Sequence, residues 1–273
     1  MEWHYTVAAQ SDIGTTKGVN QDSLTVKVVN TYRGEAAFAV LCDGMGGFEQ
    51  GEVASAVVVR AFERWFLKEL PQLLAEGFSD VALKQRWNKI ANDCNLRIKD
   101  YSKARNAPMG TTLTAMLILD GRYYISHVGD CRVYIMGNGM EQLTLDQTYV
   151  AREVALGHMT PEQAKNDSRR NVLLQCIGLK ESVEPDFMQG DFYDGDSFLL
   201  CSDGFRHEVS DKEIYDYCHT ALENMEWNTE NRLENASAMD RQLRFLVEKN
   251  KKRGEKDNIS AILLKVKSGE LCV

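Results

Sequence analysis

The sequence predicts an α+β sandwich of antiparallel sheets, and three observations lead there. Short apolar runs rich in Val, Ile and aromatic residues recur along the chain and read as strands. Tight-turn sequences join some of them directly, which makes the pairing antiparallel. Stretches of helical spacing are grouped between blocks of strands instead of alternating with them, which argues against a doubly wound parallel sheet.

In chain order, the strand signals are Tyr5 to Ala9, Leu24 to Val29 and Ala36 to Cys42. Helical spacing then takes over from about Glu49 to Leu70 and from Ser79 to about Lys103. In the second of these, Trp87, Ile90, Ala91, Cys94, Ile98 and Tyr101 form one apolar stripe, so the two helices are expected side by side over a core. Strands follow at Thr112 to Leu119, Tyr123 to Val128 and Arg132 to Met136. Asp120-Gly121 and Gly137-Asn138-Gly139 supply turn residues that tolerate positive φ, so this middle block reads as a meander. The segment Gln147 to Arg170 is polar and broken between Gly157 and Pro161, which predicts a surface excursion of one or two short helices, either a lid or a plain connection. A strand at Ser197 to Cys201, a helix pair near Asp211 to Thr220 and Asn231 to Asn250, and a last strand at Ile259 to Val266 complete the order.

Composition narrows the function. With 273 residues, 44% hydrophobic and 26% charged, the chain fits a globular protein with a sizeable core and excludes a disordered or fibrous one. Its net charge of −8 repels phosphate backbones and anionic lipid, so neither nucleic acid nor membrane is an expected partner. The basic run Lys249, Lys251, Lys252, Arg253 and Lys256 sits where cations favour a helix C-terminus. Apolar runs are far shorter than the roughly 18 residues of a membrane span. The N-terminus lacks a basic segment leading into an apolar one, so a soluble, unexported protein is expected. Seven cysteines without a close pair read as buried free thiols of a reducing compartment, the cytoplasm.

Missing residues exclude several chemistries. There is no Gly-x4-Gly-Lys-Ser/Thr loop, His-Glu-x2-His pair or Gly-x-Ser-x-Gly elbow. From Cys201 to Arg206 the spacing is one residue short of a cysteine-phosphatase loop. The five histidines show no ligand spacing, against a zinc site. What remains is a set of aspartates where apolar strands stop: Asp22, Asp43, Asp130, Asp203 and Asp257. Each Asp-Gly step taken alone is an ordinary turn. If the strand ends meet at one rim, however, it holds five carboxylates, whose repulsion raises their pKa values unless hard divalent ions such as Mg²⁺ or Mn²⁺ compensate them.

These motifs resemble, in order, those of the PPM family of metal-dependent Ser/Thr protein phosphatases, the PP2C-like enzymes. The resemblance is carried by Ser11-Asp12-Ile13-Gly14 with Asn20-Gln21-Asp22, by Cys42-Asp43-Gly44-Met45-Gly46-Gly47, and by Gly110-Thr111-Thr112. It continues through Gly129-Asp130-Cys131-Arg132, Leu143 to Thr148, Cys201-Ser202-Asp203-Gly204 and Asp257-Asn258-Ile259-Ser260. It covers about residues 5 to 267 and implies one α-β-β-α sandwich domain over 1–273, with a flap at 148–170. It further implies two Mn²⁺ or Mg²⁺ ions, with Asp43 bridging, the Gly44 carbonyl on one ion, Asp203 and Asp257 on the other, and Asp22 acting through water. A third, weaker ion would rest on Asp130 with Asp203. Asp43, Asp203 and Asp257 would then be the catalytic carboxylates, setting up a water that attacks phosphorus in line.

Three positions depart from many relatives. Lys17 stands where an arginine binds substrate phosphate, offering a point charge in place of a fork. Gln21 stands where a glutamate would act through a metal-bound water. Met45 replaces a histidine of eukaryotic relatives, as it commonly does in bacterial ones. The function implied is a bacterial, cytoplasmic, monomeric phosphatase acting on proteins phosphorylated by a Ser/Thr kinase. A catalytically silent binding module of the same fold, or a phosphatase of small metabolites, is the alternative.

Overall fold

Strand pairing in the computed structural model, which describes residues 2–46, 50–223, 227 and 231–269, is antiparallel throughout. The first sheet runs β1 (Glu2–Asp12), β11 (Ile259–Gly269), β10 (Ser197–Cys201), β7 (Arg132–Met136) and β8 (Met140–Gln142). The second runs β2 (Asp22–Thr31), β3 (Gly34–Gly46), β5 (Leu113–Leu119), β6 (Arg122–Val128) and β9 (Asp186–Asp191), with the short β4 (Met109–Thr111) on the end of β3.

Three apolar layers hold these sheets together. Ala37, Ala39 and Leu41 of β3 meet Phe198, Leu200, Ile262 and Leu264 between the sheets. The alternate residues Phe38, Val40 and Cys42 face outward under α1 (Gly51–Lys68), α2 (Leu70–Gly77) and α3 (Asp80–Arg105). Both faces of β3 are therefore covered, which is why Ala36 to Cys42 reads as one unbroken apolar run. On the other side, Leu199, Ala261 and Leu263 pack under the helical segments 203–223 and 232–252. These are α6 (Asp203–Arg206), α7 (Asp211–Tyr215), a π-turn (Asp216–Thr220), α8 (Ala221–Glu223) and α9 (Arg232–Lys252). The expected helix–sheet–sheet–helix sandwich is what forms, with α4 (Tyr149–Ala155) and α5 (Pro161–Asn166) in the excursion after β8.

Differences from the sequence reading have local causes. The first helix stops at Lys68 because Pro71 has no amide to continue it, and α2 starts afresh with that proline in its first turn. Its expected start, Glu49, lies outside the described residues, as do Gly47 and Cys272. Tyr101 leaves the apolar stripe and lies under the Arg105 guanidinium, 36% exposed, while Trp87, Ala91, Cys94 and Ile98 are buried. Thr112 opens no strand but separates β4 from β5, because its amide and hydroxyl are taken by Asp43. Strand β9 escaped notice: it is a polar edge strand whose Phe187 and Met188 are only partly buried. The helix expected over 211–220 widens into the π-turn at its second half.

Asp120 and Gly121 take φ values of 53° and 78°, forming the anticipated tight hairpin. In the basic run at the end of α9, Lys251 pairs with Asp12, and Lys249 and Arg253 pair with Glu213. Six cysteines are free and buried. No helix among the described residues is long and apolar enough to cross a membrane.

The aromatic cluster under α1 and α3 sets the stability of this half. Trp87 is fully buried, edge-on to Trp65 at 5.4 Å and against Phe38 and Phe62. Trp87→Ala is expected to cost about 3–5 kcal/mol in urea unfolding, and a cost under about 1 kcal/mol would mean the layer collapses around the gap.

Candidate active site

Antiparallel pairing puts the start of one strand beside the end of the next, and this gathers the aspartates. Asp22, first in β2, is the register partner of Asp43 near the end of β3. Asp203 follows β10 and Asp257 precedes β11, the neighbouring strand, while Asp130 turns the chain from β6 to β7. All five therefore lie at one rim of the sandwich.

The loops are locked there by backbone contacts. The Asp43 amide donates to Thr112 Oγ1 at 2.8 Å, and its carbonyl accepts from the Thr112 amide and the Thr111 hydroxyl, both at 2.9 Å. Gly44 must lack a side chain, since a Cβ would stand 2.2 Å from the Gly51 carbonyl oxygen and 2.5 Å from that of Gln21. Asn258 ties the first loop to the last strand: its Oδ1 accepts from the Gln21 amide at 2.8 Å and its Nδ2 donates to the Ile13 carbonyl at 2.9 Å. Gly14, at φ 77°, brings that loop under the Asp257 carbonyl, where a Cβ would stand 2.0 Å from the oxygen.

Electrostatics confirm the convergence. Burial first, then Asp22, Asp203, Asp130 and Asp257, push the Asp43 carboxyl well above its ordinary range. Asp22 rises to about 7, through burial and then Asp203 and Asp257. The Ser260 and Ser202 hydroxyls moderate that rise from nearby without completing hydrogen bonds, for both Asp22 carboxylate oxygens are buried and unpartnered. Asp130 also rises to about 7, through burial and then Asp203, opposed by Arg206 and His207.

This donor set fits hard divalent ions. Asp22 Oδ1 and Oδ2 and Asp203 Oδ1 are buried acceptors with no donor to meet them. The nearby Cys42 and Cys131 thiols are pushed well up by burial and offer no thiolate, so the available ligands are oxygens. Among the described residues no three His, Cys, Asp or Glu side chains converge closely enough to hold an ion by themselves. An ion here would accordingly take backbone carbonyl and water oxygens as well.

Comparison with known proteins identifies the architecture. A family model described as protein phosphatase 2C matches residues 15–263. The chain belongs to the protein phosphatase 2C family. It is 36% identical over 209 residues to the serine/threonine protein phosphatase PstP of Mycobacterium tuberculosis, an alignment covering 76% of this chain and only 37% of that protein. It is 31% identical over 216 residues to the protein phosphatase PhpP of Streptococcus pneumoniae, covering 77% and 82%. The solved catalytic domain of PstP, in complex with two manganese ions, superposes with a TM-score of 0.76 at 28% identity, over 97% of this chain and 100% of that one.

In this protein phosphatase 2C chain, Lys17, Gln21 and Met45 lie around the rim. Lys17 Nζ lies 3.0 Å from Asp257 Oδ1, and the lysine side chain is 42% exposed. Burial disfavours its ammonium, but Asp257, with Asp43 and Asp203 beyond, outweighs that and raises its pKa. The Gln21 amide, turned with its nitrogen toward Gly44, donates to that carbonyl at 3.3 Å and accepts from the Gly51 amide at 3.2 Å. A glutamate could not make the first of these contacts. Met45, last but one in β3, lies opposite Gly110.

Three residues near the rim escaped the sequence reading. His207, one helical turn after Asp203, places Nε2 3.5 Å from Asp203 Oδ2 and Nδ1 3.1 Å from Glu255 Oε2. Glu255 also accepts from the Lys256 and Asp257 amides at 2.7 Å, so one imidazole links the Asp203 and Asp257 loops. The i,i+4 spacing of Asp203 and His207 was the only sequence signal. Arg206, the third, donates from Nη2 to the Asp130 carbonyl at 3.2 Å. The excursion after β8 is rooted by Gln147, whose amide donates to the Gly129 carbonyl at 2.8 Å and whose Oε1 accepts from the Gly129 amide at 2.9 Å.

The raised Asp22 pKa makes a pH prediction. A carboxyl whose folded pKa lies above its unfolded one adds stability at low pH, and that contribution is lost as pH climbs from the ordinary carboxylate range through about 7. Without metal, the melting temperature should fall between pH 5 and pH 8 by less in Asp22→Asn than in wild type, and Mn²⁺ should raise the wild-type value more at pH 8 than at pH 5. Parallel pH profiles for the two metal-free proteins would remove Asp22 from the electrostatic cluster.

Proposed function

We propose that this chain is a metal-dependent phosphatase of phosphoserine and phosphothreonine in proteins, working as one catalytic domain over 1–273, monomeric and cytoplasmic. The observation that carries this reading is the gathering of five strand-end carboxylates, two of them with unpartnered buried oxygens, at one rim. Asp43, the Gly44 carbonyl, Asp203 and Asp257 would hold two Mn²⁺ or Mg²⁺ ions, with Asp22 and Gln21 acting through water. When bound, such ions activate water and neutralise the phosphate's charge.

The chain's own residues supply the rest. Asp43 would supply a carboxylate to the ions, its backbone fixed by Thr111 and Thr112. Lys17, half-exposed beside Asp257, would meet a phosphate oxygen as the substrate arrives. Met45 has no proton to give, so the leaving hydroxyl takes its proton from solvent. The flap at 148–170, made of α4 and α5 with α5 closed by a Thr160–Gln163 capping box, brings no carboxylate of the metal motifs and shapes substrate choice. Substrates are proteins phosphorylated by a bacterial Ser/Thr kinase. Asp130, with Asp203, would hold a third and weaker ion.

Phosphate release from a phosphothreonine peptide tests this. Activity should require Mn²⁺ or Mg²⁺, vanish with chelator and be abolished by Asp43→Asn or Asp203→Asn. No release with metal shown to be bound would instead identify a silent binding module.

Lys17 offers a separate test. Lys17→Ala should raise KM several-fold with little change in kcat, and Lys17→Arg should match or improve wild-type KM, because the fork restores a two-pronged contact. Unchanged kinetics in both would leave Lys17 a partner of Asp257 alone.

A further inference from the structure

The charge balance around Asp146 leaves one cation over. Arg132 holds Asp146 with two parallel hydrogen bonds of 2.8 Å, from Nε to Oδ1 and from Nη2 to Oδ2. That pair is complete and neutral. A second guanidinium, Arg206, nevertheless reaches the same carboxylate, with Nη2 3.4 Å from Asp146 Oδ2. Its better contact is with the Asp130 turn, where Nη2 donates to the carbonyl at 3.2 Å. Arg206 Nε is buried and has no hydrogen-bond partner.

A guanidinium held so incompletely is costly to bury, and something besides hydrogen bonds must keep it there. The compensation is carboxylate charge: Asp146 first, then Asp203, one turn earlier on the same short helix, and Asp130, whose carbonyl takes the contact, hold the Arg206 guanidinium charged against burial and against Arg132. The same guanidinium is what opposes the rise of Asp130.

We propose that Arg206 sets how many divalent ions this rim takes: its guanidinium supplies to Asp130 and Asp203 part of the charge that a third ion would bring, and so weakens that ion's binding. The inference rests on the metal-dependent reading above. A fixed positive charge a few ångströms from a divalent ion lowers its affinity by at least about tenfold. Removing Arg206 should leave the scaffold standing, since Asp146 keeps its two-pronged partner Arg132.

The test is calorimetric titration of the metal-free protein with Mn²⁺. Wild type and Arg206→Lys, which keeps the charge, should give the same isotherm. Arg206→Gln, which removes it, should bind the weakest ion at least about tenfold more tightly or gain one ion in stoichiometry. Asp130→Asn added to Arg206→Gln should abolish that gain. The melting temperature of Arg206→Gln should also respond more steeply to Mn²⁺ than that of wild type, a second measurement on the same proteins.

Identical isotherms for wild type and Arg206→Gln, with two ions still bound by each, would overturn this proposal and leave the phosphatase reading intact. A gain that survives Asp130→Asn would overturn it too, by placing the new ion elsewhere. Wild type that binds no Mn²⁺ and releases no phosphate would overturn both readings together.

Discussion

Repulsion among carboxylates held at one end of the sandwich is the constraint on which the rest of this structure depends. Asp22, Asp43 and Asp130 are all driven above the ordinary carboxylate range by burial and by one another. A fold can hold such groups together only where its backbone is rigid enough to refuse relaxation. That rigidity comes from the two sheets, whose apolar layers on three levels leave no room for the strand ends to part. The energy for the site is thus supplied by Phe38, Leu41, Phe198 and Ile262, which touch no substrate.

Positive side chains are distributed around the rim in a consistent way. Lys17 stands against Asp257 at its mouth, His207 between Asp203 and Glu255 at its side, and Arg206 against the Asp130 turn at its base. Lys17 comes from the loop after β1, and Arg206 and His207 from the end of the short helix α6, so each can be changed without unmaking the sheet. Burial pulls the His207 pKa down, but Glu255 and Asp203 outweigh it and leave it raised. The charge state of the rim is therefore written in several side chains as well as in whatever ions it binds.

The sandwich was legible because both kinds of strand left a mark: Ala36 to Cys42 as an apolar run covered on two faces, and Asp120-Gly121 as a hairpin that needs positive φ. The carboxylates were legible for the same reason, since Asp43 follows an apolar run directly and Asp203 follows one after a single serine. Strand β9 was not, because an edge strand with one partner buries little and keeps a polar sequence. Nor was the link from His207 to Glu255, which lie 48 residues apart and meet only once β10 and β11 are paired. Gln21 could be placed at the rim from its neighbours, but its contact with Gly44 depends on the close approach of two backbones.

The register of the first sheet also orders events in time. Asp12 pairs with Ile259 and Glu2 with Gly269, so the first strand has as its neighbour the last strand among the described residues. At synthesis rates of about 5–20 residues per second, that partner follows after a delay of tens of seconds. In the second sheet the waits are shorter, for β2–β3 and β5–β6 are hairpins that can pair as they emerge, while β5 joins β3 after α1, α2 and α3 have been made. Until the final strand arrives, the loop that carries Lys17 has no Asn258 to hold it, and the rim has no Asp257. A nascent chain thus has an incomplete rim, and a first strand without its partner, until β11 has been translated.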